Sequence, residues 1–282
     1  MRFDFGKKLK GALAEKGIMP FIGVYDTFSA SVAARSFDGI FVSGFSFAAS
    51  FYGLPDIGLI SWSDIVGFVR RIRTILPESH ILVDIDDGYA DIEVACHVVS
   101  LLEAAGASGV ILEDQKRPRR CGHLDGKQLL TLEEFLPKLR KVIAVRKEML
   151  IVARTDAVSP EDIQKRIKAF DGAGADWLLA DGISDLDVLH RIKSCTGKPL
   201  VFNQIAGGKS PSLTLTELKS QGISAVLYST PCLFSAMDAI QKSLRHLQAS
   251  DGLLPAGGQH LSGLTSCVSL LEENLTMRNR DK

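Results

Sequence analysis

Residues 80–114, HILVDIDDGYADIEVACHVVSLLEAAGASGVILED, contain two short apolar runs separated by a helix-like segment. The first run leads into Asp84 and Asp86, and the second leads into Glu113. The segment between them carries apolar residues at helical spacing and ends at a glycine, which commonly terminates a helix. A buried strand, a helix and a second buried strand in this order predict a βαβ unit with parallel strands.

The same alternation extends in both directions along the chain. Eight apolar runs occur, each followed by a segment with helical periodicity. They are Met19–Asp26, Gly39–Gly44, His80–Asp86, Gly109–Asp114, Met149–Asp156, Trp177–Gly182, Pro199–Ala206 and Ala225–Thr230. Eight such units predict the α/β class and a closed (β/α)₈ TIM-type barrel. A doubly wound open sheet would show the same alternation, so periodicity by itself leaves it as the alternative.

The last part of the chain lies beyond the eighth unit. The segment DGLLPAGGQ, residues 251–259, predicts a turn region, and the apolar spacing of residues 261–279 predicts a final amphipathic helix. We therefore expect a barrel with a short N-terminal helix in residues 1–252 and a helical appendage in residues 253–282.

Composition narrows the range of partners. The 282 residues include 33 Lys plus Arg and 33 Asp plus Glu, so there is no net positive charge to attract nucleic acid or an anionic membrane. The apolar stretches fall far short of the roughly 20 residues that a membrane-spanning helix needs. Because the N-terminal residues mix charged and apolar side chains without the apolar core of a secretory signal, we expect a cytoplasmic protein.

Acidic residues follow several of the predicted strands. Side chains alternate along a strand, so Asp84 and Asp86 point to the same side, while Glu113 ends the next strand and Asp56 follows the second one in a Gly-Leu-Pro-Asp turn. Carboxylate oxygens of this kind suit Mg²⁺, and also Mn²⁺. In a barrel, polar residues at the carboxyl ends of strands indicate an active site. The alternative is that Asp84 and Asp86 only cap the helix that follows.

A long polar loop, KRPRRCGHLDGKQLL, follows the fourth strand and contains Cys121. Its length exceeds that of most strand-to-helix connections, and long loops are often functional. Arg117, Arg119, Arg120 and His123 surround the cysteine in sequence and predict that it favours the thiolate form. Cys121 could then exchange a proton with a carbanion-like intermediate. The alternative is a surface cysteine without a role.

Three further positions could bind an anionic substrate. Arg154 ends the fifth strand, where a guanidinium can hold a carboxylate through two hydrogen bonds, although an ion pair with Glu113 or Asp156 is an equal alternative. Ser43-Gly44 after the second strand and Asn203 on the seventh could add hydrogen-bond donors.

Taken together, these motifs resemble those of the isocitrate lyase/phosphoenolpyruvate mutase superfamily. The resemblance runs from about Phe21 to Thr230. The motifs that carry it are Gly53-Leu54-Pro55-Asp56, Asp84-x-Asp86-x-Gly88-Tyr89, Glu113-Asp114-Gln115, Cys121-Gly122-His123 and Ala153-Arg154-Thr155-Asp156-Ala157.

The resemblance implies roles for the residues in these motifs. Asp84 would bind Mg²⁺ most directly, and three further carboxylates would hold the ion through water, namely Asp56, Asp86 and Glu113. The substrate's carboxylate and carbonyl would be received by Ser43, Gly44, Phe45 and Arg154. The Cys-Gly-His loop is similar to that of the lyase branch, in which the cysteine of a mobile loop exchanges a proton with the substrate carbon. Cys121 would do so here, and His123 would support the loop. Arg119 and Arg154 would be the other catalytic residues.

The resemblance also implies an activity and an assembly. The activity is Mg²⁺-dependent carbon–carbon cleavage of a small 2- or 3-hydroxy di- or tricarboxylate of the 2-methylisocitrate, isocitrate or dimethylmalate type. It would pass through an enolate and give pyruvate or glyoxylate. A phosphonomutase acting on a phosphorus–carbon bond, and a silent barrel that only binds a small keto acid, are the alternatives. The assembly is a homotetramer, a dimer of dimers, with the C-terminal helix exchanged between subunits.

The chain departs from the lyase pattern at four positions. Arg119 stands where lyases have a lysine. In the motif of the metal-binding strand, Asp87 replaces a threonine, which predicts additional negative charge near the ion, and Ala90 replaces the last glycine. Asp181 ends the sixth strand where lyases often have a glutamate. These departures leave the expected fold and metal site intact but bear on the substrate.

Overall fold

A computed structural model of the chain describes residues 4–89, 91–254 and 263–279. Within these ranges, eight parallel strands pair in sequence order and close into a barrel where β8 pairs with β1. The predicted (β/α)₈ barrel is therefore confirmed, and the open sheet is excluded. The strands are β1 Met19–Val24, β2 Gly39–Val42, β3 His80–Asp84, β4 Gly109–Glu113, β5 Leu150–Thr155, β6 Trp177–Ala180, β7 Leu200–Gln204 and β8 Ile223–Tyr228.

Helices alternate with the strands around the outside of the barrel. One turn of π-helix, Ala48–Tyr52, directly follows the third helix. The helices are α1 Phe5–Lys16, α2 Thr27–Ala33, α3 Gly44–Phe47, α4 Trp62–Ile75, α5 Ile92–Ala104, α6 Leu132–Val145, α7 Pro160–Gly172, α8 Asp187–Lys193, α9 Leu215–Ser220, α10 Pro231–Ala249 and α11 Leu264–Asn279.

The strands are apolar on both faces because both faces are covered. Side chains such as Phe21, Leu82 and Trp177 fill the barrel interior, where Leu9 of α1 packs with them. The opposite strand faces pack against the helices in a second, larger core. Polar residues therefore concentrate at the carboxyl ends of the strands, where barrel enzymes place their active sites.

Polar side chains cap the first turns of several helices. Ser61, Thr131 and Ser159 accept backbone N–H groups at the starts of α4, α6 and α7. Asp91 caps α5 by accepting from the N–H groups of Glu93 and Val94, at 2.7 and 3.1 Å. Since Asp91 fills this position, the alternative that Asp84 and Asp86 only cap this helix is wrong.

The last two helices leave apolar surface uncovered. Within the described part of the chain α10 contains no buried residue, and it exposes Met237, Ile240 and Leu244. Helix α11 lies against α2, where the Asn274 amide donates to Ser31 Oγ at 2.7 Å. The predicted turn region falls largely in residues 255–262, outside the described ranges. The domain boundary near residue 252 and the exchange of α11 between subunits stay predictions.

Candidate active site

Four buried carboxylates gather at the carboxyl ends of β2 to β4. Asp84 ends β3, Asp86 follows in a turn with a φ of 51°, Glu113 ends β4, and Asp56 lies in the loop between β2 and β3. The Asp86 N–H donates to Asp84 Oδ1 at 3.0 Å. A Cβ at Gly44 would lie 3.2 Å from Asp86 Oδ1 and 3.3 Å from Asp84 Oδ2. Both oxygens thus face a position that has no side chain.

These carboxylates are difficult to ionise together. Burial raises the pKa of Asp86 to about 8, against the opposing charge of Arg119, and the nearby aspartates raise it further. Burial likewise raises the pKa of Asp84 and of Glu113, although Arg119 and Arg154 oppose it. Acidic groups crowded in this way are stabilised in their charged form by an additional cation.

A divalent ion fits this set of oxygens. Asp86 Oδ1 is buried and accepts no hydrogen bond from the described residues, although a cationic nitrogen lies 3.3 Å away, so this oxygen could still accept a hydrogen bond or a cation. No three His, Cys, Asp or Glu side chains in residues 4–89, 91–254 and 263–279 converge closely enough to hold a metal by themselves. Mg²⁺ accepts such a site because it binds one or two carboxylates directly and keeps several waters.

Arg119 lies inside the same cluster. Its Nε donates to Glu113 Oε1 at 2.7 Å, its Nη1 donates to Asp56 Oδ1, and Nη1 lies 3.3 Å from Asp86 Oδ1. The side chain is only 1% exposed. The structure therefore places the predicted catalytic residue Arg119 against three of the four predicted metal ligands.

Arg154 forms the centre of a second ionic cluster. Its Nε and Nη2 each donate to Asp156 at 3.0 Å, and Nη2 also lies 2.7 Å from Asp181 Oδ2 and 3.3 Å from Glu113 Oε2. The other terminal nitrogen, Nη1, lies 3.9 Å from Asp84 Oδ2. Arg154 is therefore ion-paired, and it also lies at the barrel mouth, where it could contact a substrate.

The Cys-Gly-His loop lies over these ionic groups and depends on its glycine. A Cβ at Gly122 would lie 2.0 Å from Asp181 Oδ2 and 2.5 Å from both Arg154 Nη2 and Asp156 Oδ1. Lys127 Nζ donates to the Gly122 carbonyl. Only a residue without a side chain lets the loop approach Arg154 this closely.

Cys121 is a thiol in this environment, and the thiolate prediction is wrong. Burial raises its pKa to about 11, and the charge of Asp181 contributes, while Arg154 opposes the shift. The arginines that surround it in sequence turn elsewhere, because Arg119 pairs with Glu113 and Arg117 pairs with Asp87. Cys121 is therefore suited to donate a proton.

We expect Gly122→Ala to prevent the loop from docking. The added methyl group would overlap Asp181 and Arg154, so the loop would open and expose the Cys121 thiol to solvent. Alkylation of Cys121 by iodoacetamide, followed by peptide mass spectrometry, should be at least about tenfold faster in the variant, since exposure also lowers the thiol pKa toward about 8.5. Gly126→Ala, where a Cβ meets no atom within 4 Å, controls for strain in the same loop. Equal alkylation rates in Gly122→Ala and native protein would contradict the docking.

His123 connects the loop to β6 and β7. Its Nδ1 accepts from the Lys209 N–H at 3.0 Å, so the proton of the neutral ring lies on Nε2. Nε2 is 3.3 Å from Asp181 Oδ1 and 3.4 Å from the amide nitrogen of Asn203. Burial alone would raise the pKa of Asp181, but Arg154, His123 and Asn203 hold it well below its usual range.

The other predicted substrate-binding residues lie on the opposite side of the barrel mouth, except Asn203. Ser43 caps α3 by accepting from the Ser46 N–H at 3.3 Å, and Gly44 and Phe45 form the first turn of that helix. N–H groups in a first turn have no acceptor within the helix and can bind a ligand. Asn203 instead donates to Asp181 at 2.9 Å and accepts from Ser229 Oγ, so it positions charged groups.

The extra carboxylate of Asp87 is paired inside the protein. Arg117 donates to both Asp87 oxygens, at 2.8 and 2.9 Å, and Lys138 donates to the Asp87 carbonyl at 2.8 Å. The negative charge of Asp87 still contributes to the raised pKa of Asp86, so it acts on the acidic cluster as predicted. The pair with Arg117 also joins the start of the cysteine loop to the turn after β3.

Sequence reasoning did not assign three residues that contribute here. Asp181 follows β6 as a departure from the lyase pattern. A polar residue at the carboxyl end of a strand is the same signal that identified Asp84. Lys127 lies 3.5 Å from Asp156, although it is 14 residues beyond the end of β4 at Glu113, so its sequence position carries no signal. Gly208 contacts the His123 ring so closely that a Cβ would lie 2.5 Å from Nδ1.

Barrels of this architecture carry out chemistry at the carboxyl ends of their strands, and the buried ionic groups of this chain gather there. Fold and site together define a (β/α)₈-barrel enzyme. The chain belongs to the phosphoenolpyruvate phosphomutase family, whose model matches residues 9–248.

Two similar proteins and one solved structure illustrate the range of this family. The chain is 33% identical to a probable 2-methylisocitrate lyase 2 of Corynebacterium glutamicum, over 84% of this chain and 79% of that protein. It is 32% identical to a chloroplastic carboxyvinyl-carboxyphosphonate phosphorylmutase of Arabidopsis thaliana, over 84% and 72%. A crystal structure of 2,3-dimethylmalate lyase superposes with a TM-score of 0.88 at 26% identity, covering 96% of this chain and 93% of that one.

Proposed function

We propose that this protein cleaves a carbon–carbon bond in a small 2- or 3-hydroxy di- or tricarboxylate and releases pyruvate or glyoxylate. The observation that carries the proposal is a half-buried thiol, Cys121, held near Arg154 and next to an acidic cluster at the barrel mouth. Similarity to proteins named as 2-methylisocitrate lyase and 2,3-dimethylmalate lyase supports it.

Different residues of the site would contribute to different parts of the reaction. The substrate's hydroxyl loses its proton to water and becomes the carbonyl of pyruvate or glyoxylate as the carbon–carbon bond breaks. The electron pair of that bond remains on the other fragment as a carbanion beside a carboxylate, which is stabilised as its enolate form. Cys121 holds a proton at neutral pH and donates it to that carbon. Arg154 holds the substrate's carboxylate, and the first turn of α3, at Gly44 and Phe45, supplies N–H donors on the other side.

A divalent cation, Mg²⁺ and alternatively Mn²⁺, belongs to this proposal. Asp84 would bind it most directly, and Asp56, Asp86 and Glu113 would hold its waters. When bound, it supplies positive charge that stabilises an enolate oxygen. The Asp86 oxygen that accepts no hydrogen bond from the described residues, and the pKa of Asp86, raised by burial and by the neighbouring aspartates, support such an ion.

Turnover assays test the activity. Isocitrate, 2-methylisocitrate, dimethylmalate, oxaloacetate and phosphonopyruvate would each be incubated with the protein and Mg²⁺, and keto-acid formation followed. We expect one of the hydroxy acids to give pyruvate or glyoxylate. Phosphorus chemistry is the second candidate because of the similarity to a phosphorylmutase, and phosphorus NMR of the phosphonopyruvate reaction detects it. Binding of oxalate without turnover of any compound would indicate a silent barrel.

The homotetramer and the cytoplasmic location are also proposals. Met237, Ile240 and Leu244 recur on one exposed face of α10, and a second copy of the chain would cover them. No helix within the described ranges is both long enough and apolar enough to cross a membrane.

We expect light scattering after gel filtration to give about four times the chain mass of 30.6 kDa. Leu244→Glu should reduce this mass, because a carboxylate cannot be buried unpaired in an apolar interface. Lys242→Gln, which changes the net charge by the same amount on the opposite side of α10 from this apolar face, should leave the mass unchanged. A monomer in the native protein would overturn the proposal.

A further inference from the structure

The guanidinium of Arg119 is surrounded by carboxylates that the proposed function assigns to a metal ion. Nε and Nη2 donate to the two oxygens of Glu113 at 2.7 and 3.4 Å, while Nη1 donates to Asp56 and lies 3.3 Å from Asp86. The side chain is almost completely buried, so water does not weaken these contacts.

A metal ion and this guanidinium require the same oxygens. A water on a bound ion would hydrogen-bond to Asp56, Asp86 and Glu113, and Arg119 already donates to Asp56 and Glu113. Asp84 is the one predicted ligand without an ion pair to Arg119; its nearest cationic nitrogen is Arg154 Nη1 at 3.9 Å. Asp84, the predicted direct ligand, is thus not paired with Arg119, whereas the carboxylates predicted to hold the ion's waters are.

The residue type at position 119 determines how strong this competition is. Lyases of the superfamily have a lysine there, which carries a single charged nitrogen on a flexible chain. Arginine carries five N–H donors in a planar fork and can engage several carboxylates together. Arg119 uses this fork on Glu113 and Asp56 at once.

We propose that Arg119 acts as an internal counter-ion that competes with the divalent cation for Asp56, Asp86 and Glu113 and thereby weakens metal binding by the free protein. The inference rests on the proposed function in taking this cluster as the metal site.

Titration of Mn²⁺ into the full-length protein, with the free ion measured by electron paramagnetic resonance, tests the competition. Arg119→Lys and Arg119→Gln should each bind Mn²⁺ at least about tenfold more tightly than the native protein, the ratio expected when one charged hydrogen bond no longer opposes binding. Arg120→Gln is the matched control, because its guanidinium donates to the Arg119 carbonyl and not to the acidic cluster. Adding Asp84→Asn to each variant should abolish the gain and locate the ion at this site.

Thermal unfolding supplies a second measurement that does not depend on the dissociation constant. Without metal, Arg119→Gln leaves its carboxylates without a counter-ion, so its Tm should fall below that of the native protein and recover when Mn²⁺ is added. The native Tm should respond much less to the same Mn²⁺ concentration. Arg119→Lys keeps the charge and tests the competition if Arg119→Gln does not fold.

Equal or weaker Mn²⁺ binding by both Arg119 variants would overturn the competition, as would an equal gain in Arg120→Gln or an absence of Mn²⁺ binding in every variant. Failure of the proposed lyase function has a different signature. In that case no keto acid forms from any substrate, whichever protein binds Mn²⁺ more tightly.

Discussion

Replacement of Cys121 by serine should lower kcat by about 10³-fold, within the range found for loss of a general acid. Serine is nearly the same size, but its hydroxyl is a far weaker acid than a thiol. The substitution therefore removes proton donation and leaves the packing of the loop in place. Steady-state rates of keto-acid formation for native and variant protein measure the effect.

The pH dependence distinguishes a thiol acid from a thiolate base. Burial raises the pKa of Cys121 to about 11. The thiol is therefore fully protonated below about pH 10, and this proton-donating form disappears as the pH rises through about 11. The activity attributable to Cys121 should accordingly stay constant from neutral pH to about pH 10 and then fall. A thiolate base would give the opposite result, with a rate that rises over this interval.

Substrate binding provides the control for Cys121→Ser. If the cysteine acts only in proton transfer, the affinity for oxalate measured by calorimetry should match that of the native protein. An unchanged kcat in the variant would show that another group donates the proton, and the proposed role of Cys121 would be wrong.

The barrel could be predicted from sequence because its signals are local and repeated. Each strand is a short apolar run such as Ile81-Leu82-Val83, and each polar residue at a strand end marks the side of the barrel where the site forms. The observed strands end earlier than predicted in several places. Asp86, for example, lies in a turn with a positive φ beyond the end of β3, because the chain must bend there to begin the next connection.

The ionic partners within the site could not be predicted in the same way. Arg117 and Arg119 precede Cys121, and their sequence positions predict a lowered pKa for its thiol. In the folded chain, however, Arg117 pairs with Asp87 and Arg119 pairs with Glu113. Sequence proximity does not determine which carboxylate a long side chain reaches. Burial, which decides the pKa of Cys121, depends equally on contacts between distant parts of the chain.

Replacement of Arg154 by glutamine should strongly reduce both stability and activity. The arginine pairs with Asp156, Asp181 and Glu113, and removing one partner of a buried ion pair costs about 3–5 kcal/mol because the remaining charge stays uncompensated. The free energy of unfolding in guanidinium chloride should fall by about this amount. The loss of a carboxylate-binding cation should also lower kcat/KM by about 10²–10³-fold.

The stability loss in Arg154→Gln should itself depend on pH. Arg154 lowers the pKa of Asp181 in the folded protein, so the stabilisation from this pair is complete above the unfolded value of about 3.9 and is lost as the pH falls toward the folded value. The difference in unfolding free energy between native protein and variant should therefore be largest at neutral pH and shrink below about pH 4.

Arg166→Gln separates the effect of Arg154 on stability from its effect on catalysis. Arg166 lies on α7 and forms a buried ion pair with Asp114 at 2.9 Å, and its other ion pair within the described residues is with Asp162 rather than with the acidic cluster. Its replacement should cost comparable stability and much less activity, because only Arg154 faces the barrel mouth. If both variants lost activity in proportion to stability, Arg154 would be a structural residue and the proposed contact with the substrate would have to be abandoned.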